Sequence, residues 1–530
     1  MIHCYKLCGY NIVLDVASGS IHSVDDVAYD VIRSYELIND GKDRSVLINR
    51  ILPNHVGITE DDILEVISDV EELKSQGKLF SPDTFAVIAV ARQGDGSSVL
   101  FFVEKGEKRC KLNKTDEPSP CLPITALCLN VSHVCNMSCA YCFAGRGEYG
   151  CGEDDDTEIG DETESDNNAK LMSLETGKRA IDFLFENSGK GKNLDVDFFG
   201  GEPLLNWEVV KDIVRYAREK ERVSDKKFRF TLTTNALLIN DDVINFTNSQ
   251  MHNVVLSLDG RPEVHDAMRR LPNGDGSYSD VIGKITKLVE ARRGKGYYIR
   301  GTFTCENMDF VNDVLHIADL GFKEVSMEPV VGARQGDGSS VLFSEDKRNI
   351  PCKHNKTDEP SPCLDEPSPC LTPEDLPELF KQYETLAVEI LRREELDRGF
   401  NFYHYNLDLA NGPCVHKRIT GCGVGTEYLA VTPSGELYPC HQFVGDSKFL
   451  IGDVWKGVTN TGLRSSFSAC SIYSRSECKD CWARFYCSGG CAANAYYDSG
   501  SINGIYEIGC ELFKKRIECA IMMYVARSNI

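Results

Sequence analysis

The sequence predicts an α/β protein built around a partial (β/α)6, TIM-like barrel, with a small N-terminal unit and a cysteine-rich C-terminal domain. Strand-like and helix-like segments alternate between residues 124 and 330. The strand candidates are Ala126–Val131, Asp195–Phe199, Phe228–Thr234, Val254–Asp259, Tyr298–Thr304 and Lys323–Glu328. The helical patterns between them include Leu174–Asn187, Val209–Arg222 and Tyr278–Arg292. Repeated βα units of this length favour a parallel sheet that closes partly or fully into a barrel, with the active site at the carboxyl ends of its strands.

Residues 1–80 form a separate small unit in this interpretation. Two alternating runs, Tyr10–Val16 and Ser20–Val24, flank an Ala-Ser-Gly turn and predict a hairpin. Helical patterns follow at Val27–Leu37 and Asp61–Gln76. A hairpin followed by helices is typical of winged-helix-like domains.

Composition narrows the function classes. The chain has 530 residues, 42% of them hydrophobic, and a formal net charge of −23, which argues against nucleic acid or an anionic membrane as a partner. No stretch of eighteen apolar residues occurs and the first residues are polar and strand-like. We therefore expect neither a transmembrane helix nor a signal peptide, and predict a cytoplasmic protein. Without an export signal, 23 cysteines indicate metal or redox chemistry more often than disulfides.

Two segments interrupt the βα pattern. Residues 91–122 and 333–364 are near-copies that begin with ARQGDGSSVLF and end with NKTDEPSPCL, and DEPSPCL recurs at 365–371. Their composition favours flexible loops, so we expect surface insertions without catalytic work, one in a linker of residues 81–123 and one at residues 333–372. The alternative is a metal role for their cysteines, Cys110, Cys121, Cys352, Cys363 and Cys370.

The first motif with chemical content follows the first barrel strand. Cys135, Cys139 and Cys142 stand in a CxxxCxxC arrangement within one short loop. Three thiolates can hold three irons of a 4Fe–4S cluster and leave the fourth iron open to a small chelating ligand. Zinc is the alternative metal, but the three-residue gap and the missing fourth ligand suit it less well.

Further polar residues stand at the ends of the next strands. Gly200, Gly201 and Glu202 follow the second strand, and glycines let a backbone approach a ligand while a carboxylate accepts hydrogen bonds from an ammonium group. Thr233-Thr234-Asn235 ends the third strand and Ser257-Leu258-Asp259-Gly260 the fourth. These side chains are expected to border one cavity.

The third constellation is C-terminal. Its cysteines follow the pattern C, GxxxxC, CxxCxxxxxCxxxC, C. They are Cys422, Cys440, Cys478, Cys481, Cys487, Cys491 and Cys510. Thiolate sets of this size indicate iron–sulfur clusters, and two structural zinc sites are the alternative.

The first two motifs resemble those of the radical S-adenosylmethionine (SAM) enzymes. In CxxxCxxC of that family an aromatic residue precedes the last cysteine, and here it is Tyr141. The resemblance implies that Gly200, Gly201 and Glu202 bind SAM through its methionine amino group and that Ser257 contacts its ribose or carboxylate. It also implies an ion pair between Arg269 and the SAM carboxylate, although an ordinary helix-surface arginine is an equal alternative. Ala236 departs from the glycine usual after TTN, which makes that turn less certain.

The C-terminal pattern resembles the SPASM domain, and the stretches FFGGEPLLNW, GTEYLAVTPSGELYPCHQFVG and CWARFYCSGGCAANAY resemble the SCIFF-peptide maturases. The resemblance implies a radical SAM core at residues 124–332 and a bridging region with a SPASM domain at residues 373–530. It implies three 4Fe–4S clusters, with Cys478, Cys481, Cys487 and Cys510 binding the distal auxiliary cluster and Cys422, Cys440 and Cys491 the nearer one. Cys414 is the candidate fourth ligand of the nearer cluster, with the substrate peptide as the alternative. Residues 1–80 would be a peptide-recognition element that pairs a strand edge with a leader peptide.

The expected activity is an oxidoreductase-type peptide maturation. In that family a 5′-deoxyadenosyl radical abstracts hydrogen from a threonine α-carbon, a cysteine sulfur bonds to that carbon as a thioether, and one electron leaves through an auxiliary cluster. The expected partners are a cysteine-rich precursor peptide and an electron donor such as ferredoxin or flavodoxin. Asp408 is a possible base, although a structural aspartate is the simpler interpretation. A sulfatase-maturase-like formylglycine-forming enzyme and a non-catalytic metal-binding scaffold are the two alternative functions.

Overall fold

The computed structural model describes residues 1–38, 44–85, 122–145, 170–331, 371–409 and 419–528, and the backbone of a short hairpin between them. The cysteines of the duplicated segments and Cys414 lie outside these residues, so the predictions made for them stay predictions.

The N-terminal unit is a three-stranded antiparallel sheet with three helices. The strands are β1 (Ile2–Leu7), β2 (Tyr10–Asp15) and β3 (Ile21–Val24), and the helices are α1 (Asp26–Ser34), α2 (Arg44–Ile51) and α3 (Glu60–Ser75). The strand order is β1-β2-β3, so the predicted hairpin forms and a further strand precedes it. Thr59 and Asp62 form a capping box that fixes the start of α3. The strand-like first residues form β1, in which only Tyr5 and Leu7 are buried.

This unit is not a free-standing domain. In β2 the side chains alternate, so that Ile12 and Leu14 join the main core of the molecule while Val13 packs with the three helices. On β1 the His3 imidazole stacks on the Trp482 indole with 3.7 Å between ring centroids, and the Tyr5 hydroxyl donates a 3.0 Å hydrogen bond to the carbonyl of Glu518. The N-terminal sheet is therefore packed directly against the C-terminal domain.

The central domain contains the six predicted parallel strands. After a backbone hairpin of β4 (Phe102–Glu104) and β5 (Glu107–Arg109), the strands of this domain are β6 (Ala126–Ser132), β7 (Ser138–Cys139), β8 (Asn193–Gly200), β9 (Lys227–Thr234), β10 (Asn253–Ser257), β11 (Arg269–Arg270), β12 (Tyr298–Phe303) and β13 (Glu324–Pro329). The parallel order is β6-β8-β9-β10-β12-β13, each strand beside the next one along the barrel.

Helices cover the outside of this sheet. They are α4 (Leu174–Asn187), α5 (Trp207–Glu221), α6 (Asp241–Gln250), α7 (Pro262–Met268), α8 (Tyr278–Arg292) and α9 (Phe310–Asp319). The predicted partial barrel is confirmed, because the strand order is linear and β13 does not pair with β6.

The C-terminal domain extends the same sheet. A short strand, β14 (Asn401–Phe402), adds to β13, and β15 (Tyr428–Val431) pairs in parallel with β6. From β15 the sheet continues antiparallel through β16 (Glu436–Tyr438), β17 (Gly452–Asp453) and β18 (Gly457–Val458). The eleven strands therefore form one sheet that spans the barrel and the cysteine-rich domain.

Two long helices and several short ones complete this domain. They are α10 (Leu376–Glu395), α11 (Thr461–Ala469), α12 (Ser476–Lys479), α13 (Arg484–Cys487), α14 (Ala492–Ser499) and α15 (Glu507–Ser528). Helix α15 carries Cys510 and packs on α10. Within the described ranges, no helix has the length and apolar character needed to cross a membrane.

Candidate active site

The carboxyl ends of the barrel strands open into one cavity of about 850 Å³. Its wall includes the predicted SAM-site residues of the barrel and several C-terminal cysteines. The residues that the sequence singled out in this wall are Cys135, Cys139, Tyr141, Cys142, Gly200, Gly201, Glu202, Ser257, Arg269, Cys422, Cys487, Cys491 and Cys510.

The CxxxCxxC loop is held in a defined shape. Its residues 138 and 139 form β7, which pairs antiparallel with β11 so that Cys139 lies opposite Arg269. Burial raises the pKa of the Cys135 thiol to about 11 and that of Cys139 to about 12, and the neighbouring thiols of the loop add to both shifts. Cys135, Cys139 and Cys142 therefore lie close enough to sense one another's charge, as a shared cluster requires.

The two glycines at the end of β8 allow close backbone packing, and their predicted role toward SAM stays a prediction. A Cβ atom on Gly200 would come 2.2 Å from the Ser132 carbonyl oxygen, and one on Gly201 would come 2.4 Å from the Val134 carbonyl oxygen. Gly201 N–H donates to Ser132, and Glu202 N–H donates to Val134. The glycines line the cavity, but what they permit is close contact between this turn and the cysteine loop.

Glu202 is the buried carboxylate among the residues that are predicted to bind SAM, which we call the SAM side of the cavity. It is 1% exposed and accepts hydrogen bonds from the Asn235 N–H at 2.8 Å, the Leu204 N–H at 3.0 Å and the Thr234 hydroxyl at 2.7 Å. Burial raises its pKa to about 7, because these neutral donors only partly replace water. A ligand ammonium beside this carboxylate would supply the missing positive charge.

The turn after β9 keeps its shape without glycine. Ala236 is fully buried with φ of 71°, in the left-handed region that glycine favours. Its N–H donates to the Thr234 hydroxyl, and the Asn235 amide donates to Asn136 in the cysteine loop at 2.8 Å. The uncertainty that alanine raised at this position is thus resolved in favour of the turn.

Arg269 is neither a surface residue nor unpaired. Its Nε donates to Asp259 Oδ1 at 3.0 Å, and Asp259 also accepts from the Tyr141 hydroxyl at 2.5 Å and from the Thr302 N–H at 3.0 Å. The Arg269 guanidinium lies over the Tyr141 ring, 5.4 Å from its centroid. Ser257 ends β10 beside this group and lines the cavity. Arg269 therefore reaches the cavity as half of a buried ion pair, and a role toward the SAM carboxylate stays a prediction.

Neighbouring thiols influence one another among the C-terminal cysteines, whose division between two clusters stays a prediction. Cys440 shifts in pKa under the influence of Cys491 and Cys422, and Cys510 under that of Cys487, Cys478 and Cys481. Burial is the main cause in both cases and raises the pKa of Cys510 to about 12. Backbone N–H groups of Gly489 and Gly490 act on the Cys487 thiol in the opposite direction. Neutral thiols must lose their protons before they bind metal, and backbone donors favour the thiolate.

The donor set fits iron–sulfur clusters. Every cysteine in the described part of the chain is a free thiol. Over those same residues, no three His, Cys, Asp or Glu side chains converge on one point as a single ion would require. Free thiols are the ligands that iron–sulfur clusters use, so the chemistry of the donors fits such clusters.

Comparison with known proteins identifies the central domain. Residues 129–311 match the radical SAM superfamily. The central domain is therefore a radical SAM domain. The prediction of an enzyme is thereby confirmed and the scaffold alternative is set aside, and membership implies a 4Fe–4S cluster with SAM as its ligand.

Relatives of this enzyme modify different substrates. It is 29% identical over 227 residues to the radical SAM cyclopropyl synthase TigE of Paramaledivibacter caminithermalis, which covers 41% of this chain and 44% of the relative. It is 24% identical over 417 residues to a cysteine-type anaerobic sulfatase-maturating enzyme of Clostridium novyi, covering 74% of this chain and 95% of the relative. An uncharacterized protein of Methanocaldococcus jannaschii is 28% identical over 203 residues, 38% of this chain and 61% of that protein. The chain thus spans less than two thirds of the TigE and M. jannaschii proteins.

The fold has solved counterparts. The structure of native anSMEcpe with bound AdoMet superposes with a TM-score of 0.55 at 19% identity, covering 77% of this chain and all of that one. The same protein with AdoMet and the Cp18Cys peptide gives a TM-score of 0.55 at 20% identity and 77% coverage. At this identity the likeness concerns the fold.

Sequence reasoning missed one wall of the enzyme's cavity. Arg300, Glu328, His404 and Arg516 line it, whereas Asp408, the candidate base, is exposed and does not. Arg300 and Glu328 lie on β12 and β13, two of the strands that the sequence predicts. That placement was the signal that could have identified them as cavity residues. The geometry gives Asp408 no support as a base.

Proposed function

We propose that this radical SAM enzyme is a maturase that forms thioether cross-links in a ribosomally made, cysteine-rich peptide. The observation that carries the proposal is the shared cavity: residues of the SAM side and cysteines of both C-terminal groups border the same space of about 850 Å³. A peptide segment in that space touches both the site of hydrogen abstraction and the auxiliary thiols. Thioether formation needs this proximity, because it removes a hydrogen atom, a thiol proton and one electron.

Each residue group has a role in this proposal. Cys135, Cys139 and Cys142 hold the SAM-binding cluster, and the two C-terminal groups hold two auxiliary clusters, so that the enzyme has three in all. When bound, SAM and its cluster supply a 5′-deoxyadenosyl radical able to abstract hydrogen from a carbon atom. Glu202 orients SAM through its ammonium group, and the surrounding barrel excludes water.

The substrate is proposed to be a peptide for two reasons. The anSMEcpe structure holds a peptide, Cp18Cys, in the same fold. In addition, β3 is the last strand of the N-terminal sheet and offers an edge for strand addition by a leader segment. A low-potential donor such as ferredoxin or flavodoxin would supply the electron for SAM cleavage.

Maturation of a sulfatase is the second candidate function. It is favoured by the likeness to the sulfatase-maturating enzyme of Clostridium novyi, which extends over 74% of this chain. That activity would convert a cysteine or serine of the partner protein to formylglycine. The two functions differ in the fate of sulfur, since a thioether retains it and formylglycine formation from cysteine releases it.

The deciding experiment compares two peptides with anaerobically reconstituted enzyme, SAM and dithionite. One is a cysteine-rich peptide that also contains threonine, and the other carries a cysteine-type sulfatase motif. We expect the first peptide to lose two hydrogens per cross-link, seen by mass spectrometry, while it keeps its sulfur. We expect the reconstituted enzyme to hold about twelve irons per chain. Sulfur loss from the second peptide alone would establish the sulfatase function instead. About four irons would refute the two auxiliary clusters.

A further inference from the structure

The second wall of the cavity is a polar strip on two neighbouring strands. In the parallel ladder of β12 and β13, Arg300 is opposite Ser326 and Thr302 is opposite Glu328. Residues two apart on a strand face the same side, so these four side chains belong to one surface inside the barrel. Arg300, Thr302 and Glu328 line the cavity. Neither Arg300 nor Glu328 belongs to the motifs that are predicted to bind SAM.

A chain of hydrogen bonds fixes Glu328 from behind. Arg516 Nη1 lies 3.3 Å from His404 Nδ1, and since a guanidinium only donates, Nδ1 of the imidazole is the acceptor. The proton of His404 is therefore on Nε2, which lies 3.3 Å from Glu328 Oε1. Ser326 donates to the same oxygen at 3.1 Å. The other two guanidinium nitrogens of Arg516, Nε and Nη2, each donate to the Tyr383 hydroxyl, at 2.8 and 2.7 Å.

The charge of Glu328 follows from these neighbours. Burial alone would raise its pKa, but His404, Arg300 and Arg516 outweigh burial and hold the pKa well below its ordinary value. The side chain is therefore a carboxylate at neutral pH. Such a weakly basic group is poorly matched to taking a proton from a thiol.

One face of this pair is open to the cavity. The Glu328 side chain is 29% exposed, and the contacts described above all involve Oε1. Across the described residues, the guanidinium of Arg300 makes no hydrogen bond and no ion pair, and the residue is exposed at the cavity wall. An acceptor and a donor thus stand on adjacent strands without protein partners on their cavity side.

We propose that Arg300 and Glu328 bind the main chain of the substrate peptide, with Arg300 donating to a carbonyl and Glu328 accepting from an amide N–H. His404 and Arg516 are positioning residues that hold the carboxylate in place. A peptide unit offers the matching acceptor and donor, and this recognition is independent of side chains. It therefore allows one site to receive successive segments of a peptide modified at several positions. This inference rests on the proposed maturase function.

The test measures KM and kcat for the cysteine-rich peptide, and deoxyadenosine formation without peptide. We expect Glu328→Ala and Arg300→Ala to raise the peptide KM about tenfold while kcat and peptide-free SAM cleavage change less than about threefold. Glu328→Gln, which keeps an acceptor, should raise KM less. Glu324→Gln is the matched control, because Glu324 lies on the same strand, bonds to Asn401 and does not line this cavity.

A second measurement addresses the main chain directly. Peptides in which one amide at a time is replaced by an ester lack one N–H donor. The wild-type enzyme should lose affinity several-fold at one position, and Glu328→Ala should be insensitive to that replacement.

Each other result overturns the inference. An unchanged KM in both alanine variants would refute the binding of the peptide main chain by Arg300 and Glu328. The proposed maturase function would be unaffected. A loss of kcat above about a hundredfold in Glu328→Gln at constant KM would make Glu328 a base. A raised SAM dissociation constant in Arg300→Ala at constant peptide KM would assign Arg300 to SAM. Failure of the wild-type enzyme to modify either peptide would overturn the function and the main-chain binding together.

Discussion

Two carboxylates in one cavity have pKa values that are shifted in opposite directions. Glu202, after the second barrel strand, is surrounded by neutral N–H and hydroxyl donors, and burial raises its pKa to about 7. Glu328, on the sixth, is half-buried, and His404, Arg300 and Arg516 hold its pKa below the ordinary value against the effect of burial. Neutral donors leave the charge of a buried carboxylate unbalanced, whereas the guanidinium groups of Arg300 and Arg516 balance that of Glu328. The first wall is thus prepared for a cationic ligand and the second for neutral polar groups.

The largest effect should come from removing the thiols of the SAM side. We expect replacement of Cys135, Cys139 and Cys142 together by alanine to lower deoxyadenosine formation at least about a hundredfold, because their cluster delivers the electron. About eight irons should remain, held by the C-terminal groups. The control is Cys305→Ala, a half-buried cysteine at the end of β12. Appreciable SAM cleavage by the triple variant under dithionite would show that SAM binds elsewhere.

The two carboxylates should separate in SAM binding. Glu202→Gln is expected to raise the SAM dissociation constant about ten- to a hundredfold, since it replaces a charge-assisted bond to the ammonium by a neutral one. Glu328→Gln should change it less than about twofold. Anaerobic equilibrium dialysis with labelled SAM measures both. Equal losses in the two variants would contradict the division of the cavity into two walls.

The pH dependence sharpens the same contrast. The ammonium of SAM binds the ionised form of Glu202, which becomes protonated as the pH falls through about 7. We therefore expect SAM affinity to fall about tenfold between pH 8 and pH 6. Glu202→Gln should abolish this dependence and Glu328→Gln should keep it. A wild-type affinity that is constant over this range would mean that Glu202 is ionised throughout.

The smallest effect should come from the N-terminal sheet, far from the chemistry. Asp15 N–H donates to Ser20 carbonyl, and alternation along the β2–β3 ladder then directs the N–H of Ser23 to the outer edge. Ser23→Pro removes this donor without removing a β2–β3 bond, and should weaken processing of full-length precursor about threefold to tenfold at limiting peptide.

Ser23→Ala, which keeps the N–H, is the control for that experiment. Deletion of the whole unit would be a poor substitute, because Ile12 and Leu14 belong to the main core of the molecule. Equal processing by the proline and alanine variants would leave the unit as a structural cap.

The contrast also explains what the sequence could predict. The SAM wall consists of strand ends next to one another in the chain order, so the motif at Cys135 and the one at Glu202 were visible as local patterns. The environment of Glu328 comes from His404 and Arg516, which are 76 and 188 residues further along the chain. A local sequence pattern cannot predict contacts between residues so far apart in the chain. The buried left-handed Ala236 shows the converse, since its surroundings enforce a turn that its own preference disfavours.

The junction between β6 and β15 has a consequence for exchanging parts among relatives. Tyr428 pairs with Ala126 and Val431 with Leu129, so the cysteine-rich domain begins inside the hydrogen-bond ladder of the strand that precedes the Cys135 loop. A chimaera that imports the C-terminal half must bring a strand whose register and side chains match β6 of the host. The pairing of these two strands, about 300 residues apart in the chain, therefore limits the exchange of the C-terminal half between relatives.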